Sequence, residues 1–194
     1  MSGNATRQHI VEAADRLFYQ QGFSATSFAD IASAVKLSRG NFYYHFKTKD
    51  EILDAVIGLR EEKTRRMLAD WEAEGGTPIE RIRCFIRILI MNRADIMLYG
   101  CPVGTLSNEL AKLDSIARHK AGELFGLYRD WLEGQFEALG RVSDADGLAM
   151  HLLMRSQGVA TLANAFRDES YIGHEVDDMC TWLDTQLASG PQQS

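Results

Sequence analysis

Residues 27–49 read SFADIASAVKLSRGNFYYHFKTK, and this segment carries the strongest structural signal in the sequence. Two short helices are predicted inside it, because Ser27 and Ser38 each precede a run with helical spacing and belong to a residue type that caps helix N-termini. Asp30, three residues after Ser27, extends the first cap toward a capping box. The break at Lys36-Leu37-Ser38 is long enough for a tight turn only. The spacing therefore predicts a helix-turn-helix.

The second of these helices, residues 39–46, has two chemically different faces. Phe42 and Phe46 are four residues apart, so both point toward the core. The remaining positions are dense in polar-tipped aromatic and basic side chains: Arg39, Asn41, Tyr43, Tyr44 and His45. A recognition helix needs such side chains to reach base edges and to hold phosphates. A packed aromatic cluster at residues 43–45 stays open as the other interpretation.

Two flanking residues fit the same DNA-binding interpretation. Gly40 lets the helix backbone approach a groove closely, at a cost of up to ~1 kcal/mol in helix propensity. Thr48-Lys49-Asp50-Glu51 is predicted to be a capping box that opens the next helix. Lys49 would then lie at a helix N-terminus, where free backbone N–H groups already favour a phosphate.

The rest of the chain predicts an all-α fold of about nine helices, with helical spacing and no sustained strand-like alternation. The first helix should run from Thr6 to Gln21 and stop at Gly22, and the fourth should run about 37 Å to Gly75-Gly76. Later helices are predicted from the Thr77 capping box to Gly100, over residues 105–113, over residues 116–139, from a cap at Ser143, and over residues 172–187.

Composition and charge are those of a soluble globular protein with an uneven charge distribution. Hydrophobic residues make up 45%, charged residues 25%, and the formal net charge is −6. Residues 1–50 carry six basic and four acidic side chains, a net +2, which leaves −8 for the remainder. A mildly basic N-terminal segment followed by an acidic remainder fits a protein that contacts DNA at one end.

Other features point to a cytoplasmic protein without a membrane span. The N-terminus has no apolar signal-type region, and the longest apolar runs fall far short of the roughly 18 residues that a span requires. Cys84, Cys101 and Cys180 are odd in number and widely spaced, as expected for reduced thiols.

Enzymatic interpretations find no candidate residues. The acidic pairs at 61–62 and 177–178 sit on charged helical surfaces, and the scattered histidines do not pair at metal-ligand spacing. No phosphate-cradling glycine loop or nucleophile elbow is present. The expectation is a protein that is not an enzyme and uses no metal or cofactor.

Residues 6–57 resemble the DNA-binding domain of the TetR family of transcriptional regulators. The resemblance is carried by Gly22-Phe23, by Asp30-Ile31-Ala32, by Val35 and above all by residues 38–49. It implies a homodimer that binds a palindromic operator, with the last two helices forming a four-helix bundle in the dimer. It also implies a division at residue 48: a DNA-binding domain at 1–48, and an effector-binding and dimerisation domain at 49–194.

The resemblance also implies roles for individual residues. Ser27 and Lys49 would hold phosphates, as would Tyr44 and His45 in part. Arg39, Asn41 and Tyr43 would lie nearest to bases, and which of the three reads a base is left open. The predicted DNA-binding set is Ser27, Ser38, Arg39, Gly40, Asn41, Tyr43, Tyr44, His45 and Lys49.

Beyond residue 60 the resemblance is architectural, with one local exception. The stretch Gly100-Cys101-Pro102-Val103-Gly104, with Glu109 downstream, resembles a segment from one branch of the family in which some members sense electrophiles through a cysteine. Cys101 follows a predicted helix C-terminus, whose dipole disfavours a thiolate, so a small buried apolar residue is the favoured interpretation.

The sequence therefore predicts a ligand-responsive repressor that a small hydrophobic or aromatic effector releases from DNA. The candidate effector-binding residues are Met91, Met97, Cys101, Tyr128, Trp131 and Phe166. Dimerisation is expected through residues 143–188, with Val159 and Leu183 among the apolar side chains that a partner would cover. A helical ligand-binding or interaction protein that does not read DNA is the alternative.

Overall fold

The described part of the chain consists of α-helices and the turns that join them. The computed structural model describes residues 3–74, 76–111 and 116–188, without the side chains of Arg39 and residues 116–118. The helices of the described residues are α1 (Gly3–Gln21), α2 (Phe28–Ala34), α3 (Arg39–His45), α4 (Lys49–Ala73), α5 (Pro78–Met91), α6 (Arg93–Tyr99), α7 (Pro102–Leu110), α8 (Ile116–Ala138), α9 (Ala145–Phe166) and α10 (Ser170–Ala188). The predicted all-α fold class is confirmed.

Local sequence accounts for the ends of the first three helices. α1 stops where Gly22 takes a φ of +91°, a left-handed conformation that glycine adopts without a Cβ penalty. At α2 the Ser27 hydroxyl accepts the N–H of Asp30, and the Asp30 carboxylate accepts the N–H of Ser27. The Ser38 hydroxyl caps α3, and Lys36 turns the chain between α2 and α3 with a φ of 54°. The predicted helix-turn-helix is confirmed.

Asn92 interrupts the helix that was predicted to run from Thr77 to Gly100. The predicted capping box opens α5, with Thr77 and Glu80 bonded reciprocally and Pro78 in the first turn. The Asn92 side chain then donates to the carbonyl oxygen of Ile88 at 3.0 Å, and its backbone leaves the helical conformation at ψ 13°. Two helices, α5 and α6, therefore replace one, and at the break the Asn92 side chain and its backbone N–H share the Ile88 carbonyl oxygen.

The starts of α7 and α9 also differ from the predictions. α9 begins at Ala145 rather than after a Ser143 cap; Asp144 occupies the cap position, and the Arg141 guanidinium holds its carboxylate, with Nε to Oδ1 at 3.0 Å. α7 begins at Pro102, three residues earlier than predicted, because proline suits the first turn of a helix.

The chain packs as two units. One takes the chain up to Thr64 together with Pro102–Leu124, and the other takes Arg65–Cys101 together with the chain from Phe125. In the first unit α1 packs against α2 and α7, and in the second α5 and α9 pack against α10. This division describes packing, whereas the predicted boundary at residue 48 concerns function and stays a prediction.

Each unit has its own apolar core. The core of the first unit includes Ile10, Phe18, Ile31, Phe42, Phe46, Ile52 and Leu110. The core of the second includes Ile82, Phe85, Ile86, Leu132, Phe136, Leu152, Met179 and Leu183. Among the described helices none has the length and apolar character needed to cross a membrane.

Candidate nucleic-acid interface

The two faces of α3 have opposite environments. Phe42 and Phe46 are 1% and 2% exposed, and the Phe42 ring meets the Phe28 ring of α2 edge-on at 4.7 Å. The Arg7 guanidinium lies 4.7 Å from the Phe46 ring centroid, a cation–π distance. The inward face therefore fixes α3 against α1 and α2, and this part of the predicted face division is confirmed.

The outward face of α3 presents polar-tipped rings. Tyr44 is 77% exposed, and its ring lies 5.1 Å from that of His45 in an edge-to-face arrangement. Tyr43 is half-exposed, because one side of its ring packs on Phe28 at 5.1 Å. The packed-cluster interpretation of residues 43–45 therefore applies to part of Tyr43 and fails for Tyr44.

The N-terminal turn of α3 is open to its surroundings. The hydroxyl of Ser38 accepts the N–H of Asn41 at 3.4 Å, and both side chains are exposed. A Cβ added at Gly40 would meet nothing within 4 Å, so packing within the chain does not require glycine there. The predicted contact of Arg39 with bases concerns a side chain outside the described part of the chain, and it stays a prediction.

Lys49 is the first residue of α4, as predicted. The Thr48 hydroxyl accepts the N–H of Glu51 at 3.1 Å, whereas the Glu51 carboxylate accepts the N–H of Lys47, one residue before the expected partner. The Lys49 ammonium lies 4.2 Å from the Phe23 ring centroid and 3.5 Å from the carbonyl oxygen of Ser24. Burial lowers the pKa of Lys49, and nearby carboxylates, Glu109 first, oppose that shift.

Two positions with long-range polar contacts in this unit were not predicted as site residues. Glu109 of α7 accepts the backbone N–H groups of Phe23 and Ser24, at 2.8 and 2.6 Å. Arg60 of α4, only 7% exposed, donates to the Asp15 carboxylate at 2.7 Å and to the carbonyl oxygen of Pro102. Local patterns cannot find such pairs, because their partners lie more than 40 residues away along the chain.

Four of the predicted effector residues pack in the second unit. Met97, Cys101, Tyr128 and Trp131 are partly buried against its core. The Tyr128 ring lies 5.8 Å from that of Phe85, and Trp131 lies 5.5 Å from Trp71 while its indole N–H donates to Glu72 at 2.9 Å.

Met91 and Phe166 do not fit an enclosed effector pocket. Met91 is 77% exposed, because α5 ends at this residue and Asn92 turns the chain. Phe166 is 66% exposed at the end of α9, where it lines an open groove of about 400 Å³ between α9 and α10. The groove is lined by Arg155, Gly158, Val159, Leu162, Phe166, Tyr171 and Glu175.

Comparisons with known proteins match this arrangement at both sequence and structure level. A family model described as "Bacterial regulatory proteins, tetR family" matches residues 10–56, the segment that holds α2, α3 and the start of α4. The HTH-type transcriptional regulator AcrR of Shigella flexneri is 39% identical over 79 residues, which cover 40% of this chain and 37% of AcrR. The HTH-type transcriptional repressor DhaR of Mycobacterium sp. (strain GP1) is 26% identical over 134 residues, 69% of this chain and 65% of DhaR.

The matched part of the chain thus spans less than two thirds of either curated relative. A solved structure agrees over a greater length: a TetR transcriptional regulator from Legionella pneumophila has a TM-score of 0.79 at 25% identity, covering 92% of this chain and 95% of that chain. The resemblance predicted from residues 6–57 is confirmed. Residues 10–56 therefore carry a helix-turn-helix segment of the tetR regulatory type, and the described chain has the fold of TetR-family structures.

Proposed function

We propose that the protein is a ligand-responsive repressor that binds a palindromic operator as a homodimer and leaves it when a small molecule binds. The observation that carries the proposal is the outward face of α3. Tyr44 is exposed on this face, while the phenylalanines on the inward face of the same helix fix it to the core. Polar groups on a rigid helix can enter the major groove in a defined register.

The cations and caps around α3 support a phosphate-binding rim. The Ser27 hydroxyl, which accepts the N–H of Asp30, is exposed, and it is proposed to turn its hydrogen toward a phosphate oxygen when DNA binds. Lys49 sits in the first turn of α4, where the helix dipole adds to its charge. Asn41 and the sequence-predicted Arg39 then lie in the turn of α3 that reaches base edges in known helix-turn-helix proteins.

The dimer is proposed to form through α9 and α10, as the family resemblance implies. Val159 and Leu183 are 8% and 0% exposed within one chain, so the expectation that a partner must cover them is wrong. They pack inward because α9 and α10 bury one apolar stripe in the core of their own unit. Other apolar side chains remain half or more exposed on these helices: Met154, Leu162, Phe166 and Tyr171. A second copy is proposed to cover these instead.

The effector is proposed to be hydrophobic or aromatic, with Met97, Tyr128 and Trp131 as contacting residues. These side chains combine apolar bodies with a few polar tips, which suits ligands of that class. Regulation requires only that the effector favour a different placement of the two recognition helices, with a coupling free energy of about 1–3 kcal/mol.

Retardation of DNA from upstream of the protein's own gene, at moderate salt, tests the proposal. Tyr44→Ala should weaken binding, because it removes an exposed hydroxyl from the proposed interface. Val142→Ala is the matched control, since Val142 is 70% exposed in the other packing unit. A parent protein that binds no duplex DNA would leave the alternative of a ligand-binding or interaction protein.

A further inference from the structure

The loop between α1 and α2 contacts both a carboxylate of α7 and the cation of α4. The Glu109 carboxylate accepts two N–H groups of the loop, with one oxygen on Phe23 and the other on Ser24. The Lys49 ammonium rests on the Phe23 ring and near the Ser24 carbonyl oxygen. The two residues of the loop that contact Lys49 are therefore the two that Glu109 holds.

We propose that Glu109 is a positioning residue for DNA binding: by holding residues 22–24, it holds the Lys49 ammonium where it can meet a phosphate. This inference rests on the proposed DNA-binding function and deepens it. It extends the interface to α7, which lies outside the segment matched by the family model.

The loop is shaped to receive the Glu109 carboxylate. Gly22 has a φ of +91°, and a Cβ built there would lie 3.3 Å from a Glu109 carboxylate oxygen. A side chain at position 22 would therefore press on the carboxylate as well as strain the backbone. Hydrogen bonds to a charged acceptor are stronger than neutral ones, and two of them fix the orientation of residues 22–24 in this loop.

Glu109 is itself held in place, because α7 is tied to the same unit near its start. Arg60 of α4 bonds both the carbonyl oxygen of Pro102 and the carboxylate of Asp15 in α1. Leu106 and Leu110 of α7 are buried, and α7 packs against α1. The N-terminal turn of α7 and its last turn are thus both anchored, so a shift of α7 would move the loop and Lys49 with it.

The charge of Glu109 by itself and the positioning role predict opposite changes in DNA affinity when Glu109 is removed. A carboxylate near a DNA surface repels phosphates, so loss of its charge should strengthen binding if charge were its whole effect. Positioning predicts that its loss weakens binding, because the loop and Lys49 lose their fixed place. The sign of the change for Glu109→Ala therefore separates the two effects.

The experiment measures binding of a duplex from the upstream region by fluorescence anisotropy across a salt series. The variants are Glu109→Ala, Lys49→Ala and the double variant, and circular dichroism verifies their folding. Asp54→Ala is the matched control: Asp54 is a carboxylate of α4 in the same unit, and it pairs with Lys120.

Glu109→Ala should bind about fivefold or more weakly, in the range of a charge-assisted contact, and should flatten the salt dependence as Lys49→Ala does. In the Lys49→Ala background the same change should have less than about a twofold effect, since the contact it positions is gone. Asp54→Ala should not weaken binding.

Three outcomes would overturn the inference. In the first, Glu109→Ala binds DNA as tightly as the parent or more tightly. In the second, the loss of affinity of the double variant equals the product of the losses of Glu109→Ala and Lys49→Ala. In the third, Asp54→Ala weakens binding as much as Glu109→Ala does. If Glu109→Ala does not fold, Glu109→Gln is used in its place, because glutamine removes the charge and one acceptor with little change in shape. Weaker DNA binding by Glu109→Gln supports the positioning role, and tighter binding contradicts it. A Lys49→Ala variant that binds like the parent would instead contradict the proposed phosphate contact itself.

Discussion

Phe42 and Tyr44 stand two residues apart on α3, and their surroundings give them different roles. The Phe42 ring is 1% exposed and packs edge-on against Phe28, so it contributes to folding. The Tyr44 ring projects from the other side and contacts His45, its neighbour on the same face. Substitution of Phe42 should therefore affect stability, and substitution of Tyr44 should affect DNA binding.

Phe42→Ala should lower the free energy of unfolding by about 3–5 kcal/mol, because it leaves a cavity in the core of the first unit. Tyr44→Ala should change that free energy by no more than about 0.5 kcal/mol, as expected for an exposed side chain. Urea unfolding followed by circular dichroism measures both. Equal losses for the two variants would show that α3 does not have the inward and outward faces described.

The Asp30 cap of α2 should make the protein less stable as the pH falls into the acid range. Hydrogen bonds from the Ser27 side chain and then the Ser27 backbone hold the pKa of Asp30 below its ordinary value of 3.8. A carboxyl whose pKa is lowered on folding adds stability above its unfolded pKa, and this stability disappears as the pH falls through the folded value. The Asp30 cap should therefore stabilise the protein at neutral pH and lose this effect in acid.

Thermal melts of the parent and Asp30→Asn should differ most at neutral pH. The gap between their melting temperatures should stay constant down to about pH 5 and shrink below about pH 4. A gap that does not change between neutral pH and about pH 2 would mean that the Asp30 charge does not contribute to the cap.

At the scale of the element, local signals predicted helices well wherever caps and glycines act over three or four residues. Ser27, Ser38 and Thr77 cap the helices expected of them, and Gly22 ends α1 as expected. Predictions failed at two helix ends where the capping residue was not the expected one. Asn92 bonds the Ile88 carbonyl within what was expected to be one helix, and Asp144 takes the cap position expected for Ser143.

The candidate site divides in the same way. The two faces of α3 were predictable because its outward polar positions and its inward phenylalanines follow one helical period. Glu109 and Arg60 were not, because their partners depend on how distant helices pack. The effector residues were least predictable, since an apolar side chain such as Met91 gives no sign in sequence of which helix end exposes it.

At the scale of the whole molecule, the exposed apolar face of α9 and α10 predicts a dimer that single substitutions can break. Leu162→Asp should give a monomer at micromolar concentration, because it places a charge where a second copy is proposed to pack. Leu98→Asp is the control: Leu98 is 55% exposed and Leu162 54%, but Leu98 lies on α6. Light scattering with chromatography measures the mass. A monomeric parent, or equal behaviour of the two variants, would contradict this interface.

Residues 38–49 are proposed to form the DNA surface, with base contacts in the first turn of α3 and phosphate contacts at its rim. Affinity for a set of operator variants across a salt series tests this proposal most directly, for Arg39→Ala and Lys49→Ala verified as folded. Lys49→Ala should weaken all sequences about equally and make the salt slope shallower by about one per half-site. Arg39→Ala should cost about 1–3 kcal/mol and relax the preference at one position per half-site. If both folded variants bind the natural operator like the parent, α3 is not the recognition helix and the account is contradicted.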